Sequence, residues 1–316
     1  MQDTLTLSPP TRRRDAVLPL LAAGVTVVLW ASAFVGIRAA GPDFSPGALA
    51  LGRLVVAALV LGGLVLARRE AWPARRDLAR IAGCGLLWFG AYNVALNAAE
   101  RRVDAGTAAM LVNVGPVLVA LLAGAVLREG FPPRLLAGCG VAFGGAVVIG
   151  MATAGGGRAD TVGASLCLLA AVCYAGGVVI QKTVLGRVSA LQVTWLACTV
   201  TAVACLPFAP RLVREAAAAP PSATAWVVYL GVLPTAVAFT TWAYALARTS
   251  AGKQGATTYL VPAVTVVIAW LVLAETPPPL ALLGGVLCLA GVAVTRSRWR
   301  PRGRPRGSRR GRPARA

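Results

Sequence analysis

Histidine is absent from this chain. That excludes imidazole metal sites, serine–histidine catalysis and histidine proton relays together. Charge is scarce: 13% of the 316 residues are Asp, Glu, Lys or Arg, against about 25% in a soluble domain. Acids are the scarcest, eleven in all. Nowhere do they gather as an integral-membrane enzyme of lipid or isoprenoid chemistry would need. The seven cysteines, Cys84, Cys139, Cys167, Cys173, Cys198, Cys205 and Cys288, lie inside apolar runs and never form Cys-x-x-Cys. They read as small core hydrophobes rather than disulfides or metal ligands. No cofactor and no metal are expected.

What the chain has instead is apolar length. It is 57% hydrophobic, with a mean hydropathy of +0.72. Runs fall at roughly 17–36, 47–66, 78–99, 105–127 and 133–151, then at 161–181, 190–208, 223–246, 251–273 and 279–295. Most approach the roughly 20 residues that a spanning helix requires. The fold class expected is therefore an all-α membrane protein of ten transmembrane helices.

These runs repeat. Ala105-Gly106, Pro116, Leu127, Glu129, Pro132 and Pro133 return 146 residues later as Ala251-Gly252, Pro262, Leu273, Glu275, Pro278 and Pro279. Gly85, Gly138 and Gly145 return as Gly231, Gly284 and Gly291. With an offset of 144, Trp30 meets Tyr174 and Arg38 meets Lys182. The first run continues past Ala31-Ser32-Ala33 and has this counterpart, so it belongs to the repeat and is not a signal peptide. The organisation expected is an N-terminal segment 1–16, a five-helix repeat 17–152, a linker 153–160, a second repeat 161–295 and a basic tail 296–316.

Charge placement orients the spans. Lys and Arg outside the runs divide into 24 on the side of the N-terminus and six on the other (Arg38, Arg101, Arg102, Arg158, Arg211 and Arg214). The positive-inside rule then puts both termini in the cytoplasm. Five spans per repeat is an odd number, so the second repeat is inverted relative to the first. Inverted repeats are a hallmark of secondary transporters, with the substrate near mid-membrane between them. Ten arginines lie between Arg296 and Arg315, with Trp299 as the only aromatic among them. Such a tail suits anionic lipid better than nucleic acid.

The chain resembles the drug/metabolite transporter superfamily, in particular its ten-helix EamA-type members. The resemblance runs from about Val17 to Thr295. It is carried by Trp30-Ala31-Ser32-Ala33-Phe34, by Arg53, by Ala105-Gly106-Thr107-Ala108-Ala109 leading to Pro116, by Glu129 and Gly138, and by Ala251-Gly252, Pro262, Glu275 and Gly284. It implies a multi-pass inner-membrane carrier, often an exporter of amino acids, metabolites or drugs. In one respect the chain departs from some drug-exporting relatives: it has no carboxylate in mid-membrane.

Several side chains stand out as candidates to contact a substrate. Arg53 is the one charge well inside a run, and it divides evenly between a structural anchor and an anion contact. Asn93 and Asn97 share a helix face, and Asn113 precedes Pro116 by nearly a turn. Amides in lipid must face protein or a wet cavity. Trp30, Phe34, Tyr174, Trp242 and Tyr259 complete the substrate-binding set, whereas Tyr244, near a run end, fits an interfacial belt. Pro116 and Pro262 interrupt helix hydrogen bonding at equivalent places and are expected to be hinges. Glu129 and Glu275 are expected to cap the helices that follow them. Gly138, Gly140, Gly144, Gly284, Gly285 and Gly291 suggest close helix contacts.

The function expected is export of a small amphipathic metabolite, such as an amino acid, by alternating access and without enzymatic chemistry. A multidrug carrier and a lipid enzyme remain the alternatives. The partners expected are a small-molecule substrate, the bilayer, and anionic lipid at the tail. Nucleic acid is not expected, and a homodimer is left open.

Overall fold

The computed structural model describes residues 11–99, 101–102, 111–153, 161–273 and 279–296. Within them the chain is helical from end to end, with a single isolated β-bridge between Leu185 and Val188. The first repeat holds α1 (Thr11–Ala40), α2 (Pro46–Arg68), α3 (Arg75–Ala99), α4 (Gly115–Val126) and α5 (Pro133–Thr153). The second holds α6 (Thr161–Val184), α7 (Ala190–Ala204), α8 (Ala209–Ala218), α9 (Pro221–Arg248), α10 (Ala251–Thr257), α11 (Leu260–Leu273) and α12 (Pro279–Arg296).

Four of these helices, α2, α3, α6 and α9, are each long and apolar enough to cross a bilayer. Shorter apolar helices stand in most of the remaining runs, Val17–Ala33, Gly115–Val126, Pro133–Ile149 and Leu282–Arg296, and α10 with α11 occupies the ninth. Their outward faces carry Leu59, Leu66, Val172, Leu271 and Leu283, all exposed. In lipid this is the favoured arrangement, because backbone polar groups are satisfied within each helix.

One run departs from its expected form. The seventh span ends at Ala204, turns through Leu206–Phe208, and continues as α8 at 55° to α7. α8 carries Arg211, Arg214 and Glu215, and the bent pair reaches the length and hydropathy of a span only when taken together. Pro207 and Pro210, each lacking an N–H, mark the corner.

The inversion is visible in the packing of α5 on α12. A Cβ on Gly138 would stand 2.6 Å from Gly291 O, and one on Gly145 would stand 2.6 Å from Gly284 O. Numbers rise along one helix as they fall along the other, so the two repeat-equivalent helices run antiparallel. Between these contacts the Cys288 thiol donates to Ala142 O at 3.5 Å. Ala142 and Cys288 are themselves equivalent under the 146-residue offset, so a pseudo-two-fold axis passes near their contact. Gly140 and Gly144 have nothing within 4 Å, and Gly285 meets Ala263 only at ordinary contact distance, 3.6 Å. The expected close contact at those three glycines is therefore not made.

The same symmetry appears between α2 and α7. Ser45, before α2, donates its amide and hydroxyl to Glu215 Oε2 at 2.8 and 3.1 Å. Ser189, before α7, donates its hydroxyl to Glu70. Each carboxylate thus holds the start of a helix in the opposite repeat, one at each end of the molecule. At the Glu70 end, Arg187 also donates to Asp77 through Nε and Nη2, the shortest contact being 2.7 Å.

Candidate functional site

The site is built around two π-helical segments. Gly85–Ala91 within α3 and Gly231–Val237 within α9 are equivalent under the 146-residue offset. A π-turn widens the helix and leaves carbonyls poorly satisfied, and such turns concentrate at functional sites. Here each is tended by a side chain. Asn93 Nδ2 donates to Phe89 O at 3.0 Å and to Trp88 O at 3.3 Å. Thr235 Oγ1 donates to Leu230 O at 2.7 Å. Glycine opens both segments because backbone lies against it: a Cβ on Gly85 would stand 2.9 Å from Ala197 O, and one on Gly231 would stand 2.9 Å from Arg53 O.

Arg53 joins the two segments. It is 5% exposed. Its Nε donates to Thr235 Oγ1 at 2.9 Å and its Nη1 to Asn93 Oδ1 at 3.4 Å. The guanidinium therefore reaches the side chains serving both π-turns, one in each repeat. Its fork geometry suits this double role better than a lysine would.

Aromatic rings from both repeats meet beside this clamp. Trp30 lies 5.1 Å from Trp242, 5.2 Å from Phe239 and 6.0 Å from Trp88, centroid to centroid. Phe89 and Phe239 approach to 4.2 Å. Tyr174 lies 5.3 Å from Trp88, and Tyr92 lies 6.2 Å from Tyr174. The Trp242 indole N–H is buried and makes no hydrogen bond. The Tyr174 hydroxyl is near Thr258 but outside bonding geometry. Gly115 admits the Tyr174 ring, since a Cβ there would stand 2.5 Å from Cδ1. The result is an apolar centre with a few neutral hydrogen-bonding groups at its edge.

The other expected site residues divide. Asn97 lies apart from the rings and donates to Pro46 O at 3.2 Å, tying α3 to the start of α2. Asn113 and Tyr259 stand in short breaks of the fourth and ninth spans. Those breaks, at Asn113–Val114 and Thr258–Tyr259, carry tightened bonds from Val114 N to Leu111 O (3.2 Å) and Tyr259 N to Ala256 O (3.3 Å). Pro116 and Pro262 follow them, within the first turn of α4 and α11. Tyr259 packs with α5 and α12 rather than with the ring cluster. Tyr244 lies under the Arg248 guanidinium, 3.6 Å from its ring centroid. The Phe34 side chain and Glu275 lie outside the described residues.

Glu129 is a cap, but of a different helix than expected. It accepts from the Ala251 amide at 2.8 Å and the Gly252 amide at 3.3 Å, at the start of α10. The reason is chemical. Pro132 and Pro133 have no N–H to offer at the start of α5, whereas α10 begins with free amides and a positive helix end. Beside it, Lys182 Nζ donates to Leu246 O and Thr249 O, both at 2.6 Å, closing the end of α9.

The sequence profile of the EamA-like transporter family matches residues 17–151 and 161–297, one match per repeat. The chain belongs to this family. It is 43% identical over 277 residues to a probable terminal-alkyne amino-acid exporter of Streptantibioticus cattleyicolor, covering 87% of this chain and 92% of that one. It is 31% identical to an uncharacterized transporter of Bacillus subtilis, covering 90% and 92%. It is 25% identical to a probable amino-acid metabolite efflux pump of Salmonella typhimurium, covering 89% and 94%. A solved crystal structure shares the fold with a TM-score of 0.71 at 21% identity, covering 88% of this chain and 96% of that one.

For this EamA-family transporter, sequence reasoning missed the π-segments, Trp88, Phe89, Thr235 and the Glu70–Ser189 and Glu215–Ser45 contacts. The Gly85/Gly231 match was the one available signal for the first. Offsets of 144 and 145 relate Ser45 to Ser189 and Glu70 to Glu215, so the repeat alignment held the last.

Proposed function

We propose that this transporter exports small amphipathic amino acids, or metabolites close to them, across the inner membrane by alternating access. The observation that carries this is the meeting of repeat-related π-segments in a core of rings, edged by neutral hydrogen-bonding groups and by the Arg53 guanidinium that clamps the two segments. No Asp or Glu is buried in that core among the described residues. Rings suit an apolar side chain, and neutral donors suit a zwitterionic or uncharged headgroup. A lipophilic cation would find no counter-charge there. Two relatives bear names of amino-acid or amino-acid-metabolite exporters, which supports the same class. In this reading the termini are cytoplasmic and the arginine tail rests on anionic lipid. Pro116 and Pro262, beside repeat-equivalent helix breaks, are the hinges of the two gates.

The test is efflux from cells preloaded with L-norvaline or L-propargylglycine. Expression should speed release of both and leave tolerance to quaternary ammonium compounds unchanged. Unchanged release with strong protection against those cations would contradict the proposal.

A further inference from the structure

Two glutamines inside the bundle are buried with unpaired amide atoms. Gln181, near the end of α6, is fully buried, and neither its amide nitrogen nor its oxygen has a hydrogen-bond partner. Gln254, in α10, is 1% exposed and its Nε2 is likewise unpaired. Its Oε1 has one long contact, accepting from Thr249 Oγ1 at 3.4 Å. Burying an unpaired amide is unfavourable, and an aliphatic side chain of the same size would pack without that cost.

Their helices meet at the Thr249 corner. Gln181 precedes Lys182, which donates to Thr249 O at 2.6 Å. Gln254 meets the hydroxyl of the same Thr249, and α6 and α10 are in contact. Each also lies on the side of its helix that leads to a residue nearer the centre. Tyr174, Val178 and Gln181 are spaced i, i+4 and i+7, so they share one face of α6. Gln254 lies four residues before Thr258, the C-cap residue of α10, and Thr258 is near the Tyr174 hydroxyl without bonding it. Polar side chains thus stand both at the Thr249 corner, as Gln181 and Gln254, and at the ring cluster, as Tyr174.

In sequence the glutamines occur in one repeat only. The 144- and 146-residue offsets place Ile37 opposite Gln181 and Ala108 opposite Gln254. Packing demands shared by both repeats would keep apolar residues in both, as they do in the first. Charge placement assigns the glutamine end to the cytoplasm, which is the loading side of an exporter.

We propose that Gln181 and Gln254 form the loading subsite, where their amides bind the ammonium and carboxylate of an incoming zwitterionic amino acid. This rests on the export reading above. Recognition at the two amides is by neutral dipoles, with the Lys182 ammonium already occupied by the Leu246 and Thr249 carbonyls.

The test uses the full chain, purified and reconstituted. Gln181→Leu and Gln254→Leu should leave Tm of the substrate-free protein unchanged or raised. Each should raise KM for L-norvaline counterflow roughly tenfold, the equivalent of one hydrogen bond to a charged group, with kcat little changed. Met in place of Leu, unbranched and of similar length, should give the same result. A fall in Tm of several degrees in both Leu and Met variants would make the amides structural and overturn the proposal. So would wild-type KM in the variants, or a fall in kcat alone. If the wild-type protein itself exchanges no L-norvaline, the export reading fails, and the subsite with it.

Discussion

Arg53 can serve as an anchor or as an anion contact, and its bonds favour the anchor. It spans Thr235 and Asn93, which tend the two π-turns. Arg53→Met should leave both oxygens without their charged donor. Hydrogen bonds to charged groups contribute about 1.5–3 kcal/mol each, so a loss of roughly 3 kcal/mol is expected, seen as a fall in Tm by several degrees. Arg53→Lys keeps the charge but not the fork, and should lie between. An unchanged Tm with loss of anionic substrates alone would make Arg53 an anion contact. At this scale the sequence was informative where a residue type is costly in lipid. A lone deep arginine and asparagines inside apolar runs must be explained, and Arg53 and Asn93 prove to be paired. It was silent on partners. Glu129 was visible as a cap, but the helix it caps lies across the repeat boundary and only the fold brings it there.

Among elements, α5 and α12 give the sharpest contrast. A Cβ on Gly291 would fall on Ala142 N and 2.6 Å from Gly138 O, and one on Gly145 would fall 2.6 Å from Gly284 O. Backbone atoms cannot step aside as a side-chain tip can. Gly291→Ala and Gly145→Ala should therefore each cost about 1–3 kcal/mol or more, the range for overpacking. Gly140→Ala and Gly144→Ala meet open space and should leave Tm unchanged or raise it, since alanine is the better helix former by up to about 1 kcal/mol. Thermal unfolding of the four variants in detergent is the measurement. Equal losses at all four would mean that the seam is not where α5 and α12 touch. The glycines that matched across the repeat are the ones in contact, and the unmatched Gly140 and Gly144 are not. Repetition was thus a better guide than composition. The π-segments were not legible, because no residue pattern specifies an i to i+5 turn. They arise where Gly85 and Gly231 let the opposite repeat's backbone press close.

The whole molecule is two inverted copies of one unit, and that much was in the sequence through its 146-residue register. What the register could not supply was the corner at α8 and the buried, unpaired state of glutamines found in one repeat only. Asymmetry is where direction and substrate choice reside in a carrier whose scaffold is otherwise duplicated. Exchange is the property that defines such a carrier, because one site is presented to each side in turn. The most direct measurement is counterflow in liposomes containing the purified protein. Vesicles loaded with unlabelled L-norvaline should take up external labelled L-norvaline well above its equilibrium level, transiently and without an imposed ion gradient. Gly291→Ala protein, if its helices part at the seam, should lose this overshoot. Wild-type protein that is folded and correctly inserted, yet gives no overshoot with any of a panel of small neutral amino acids, would contradict the account.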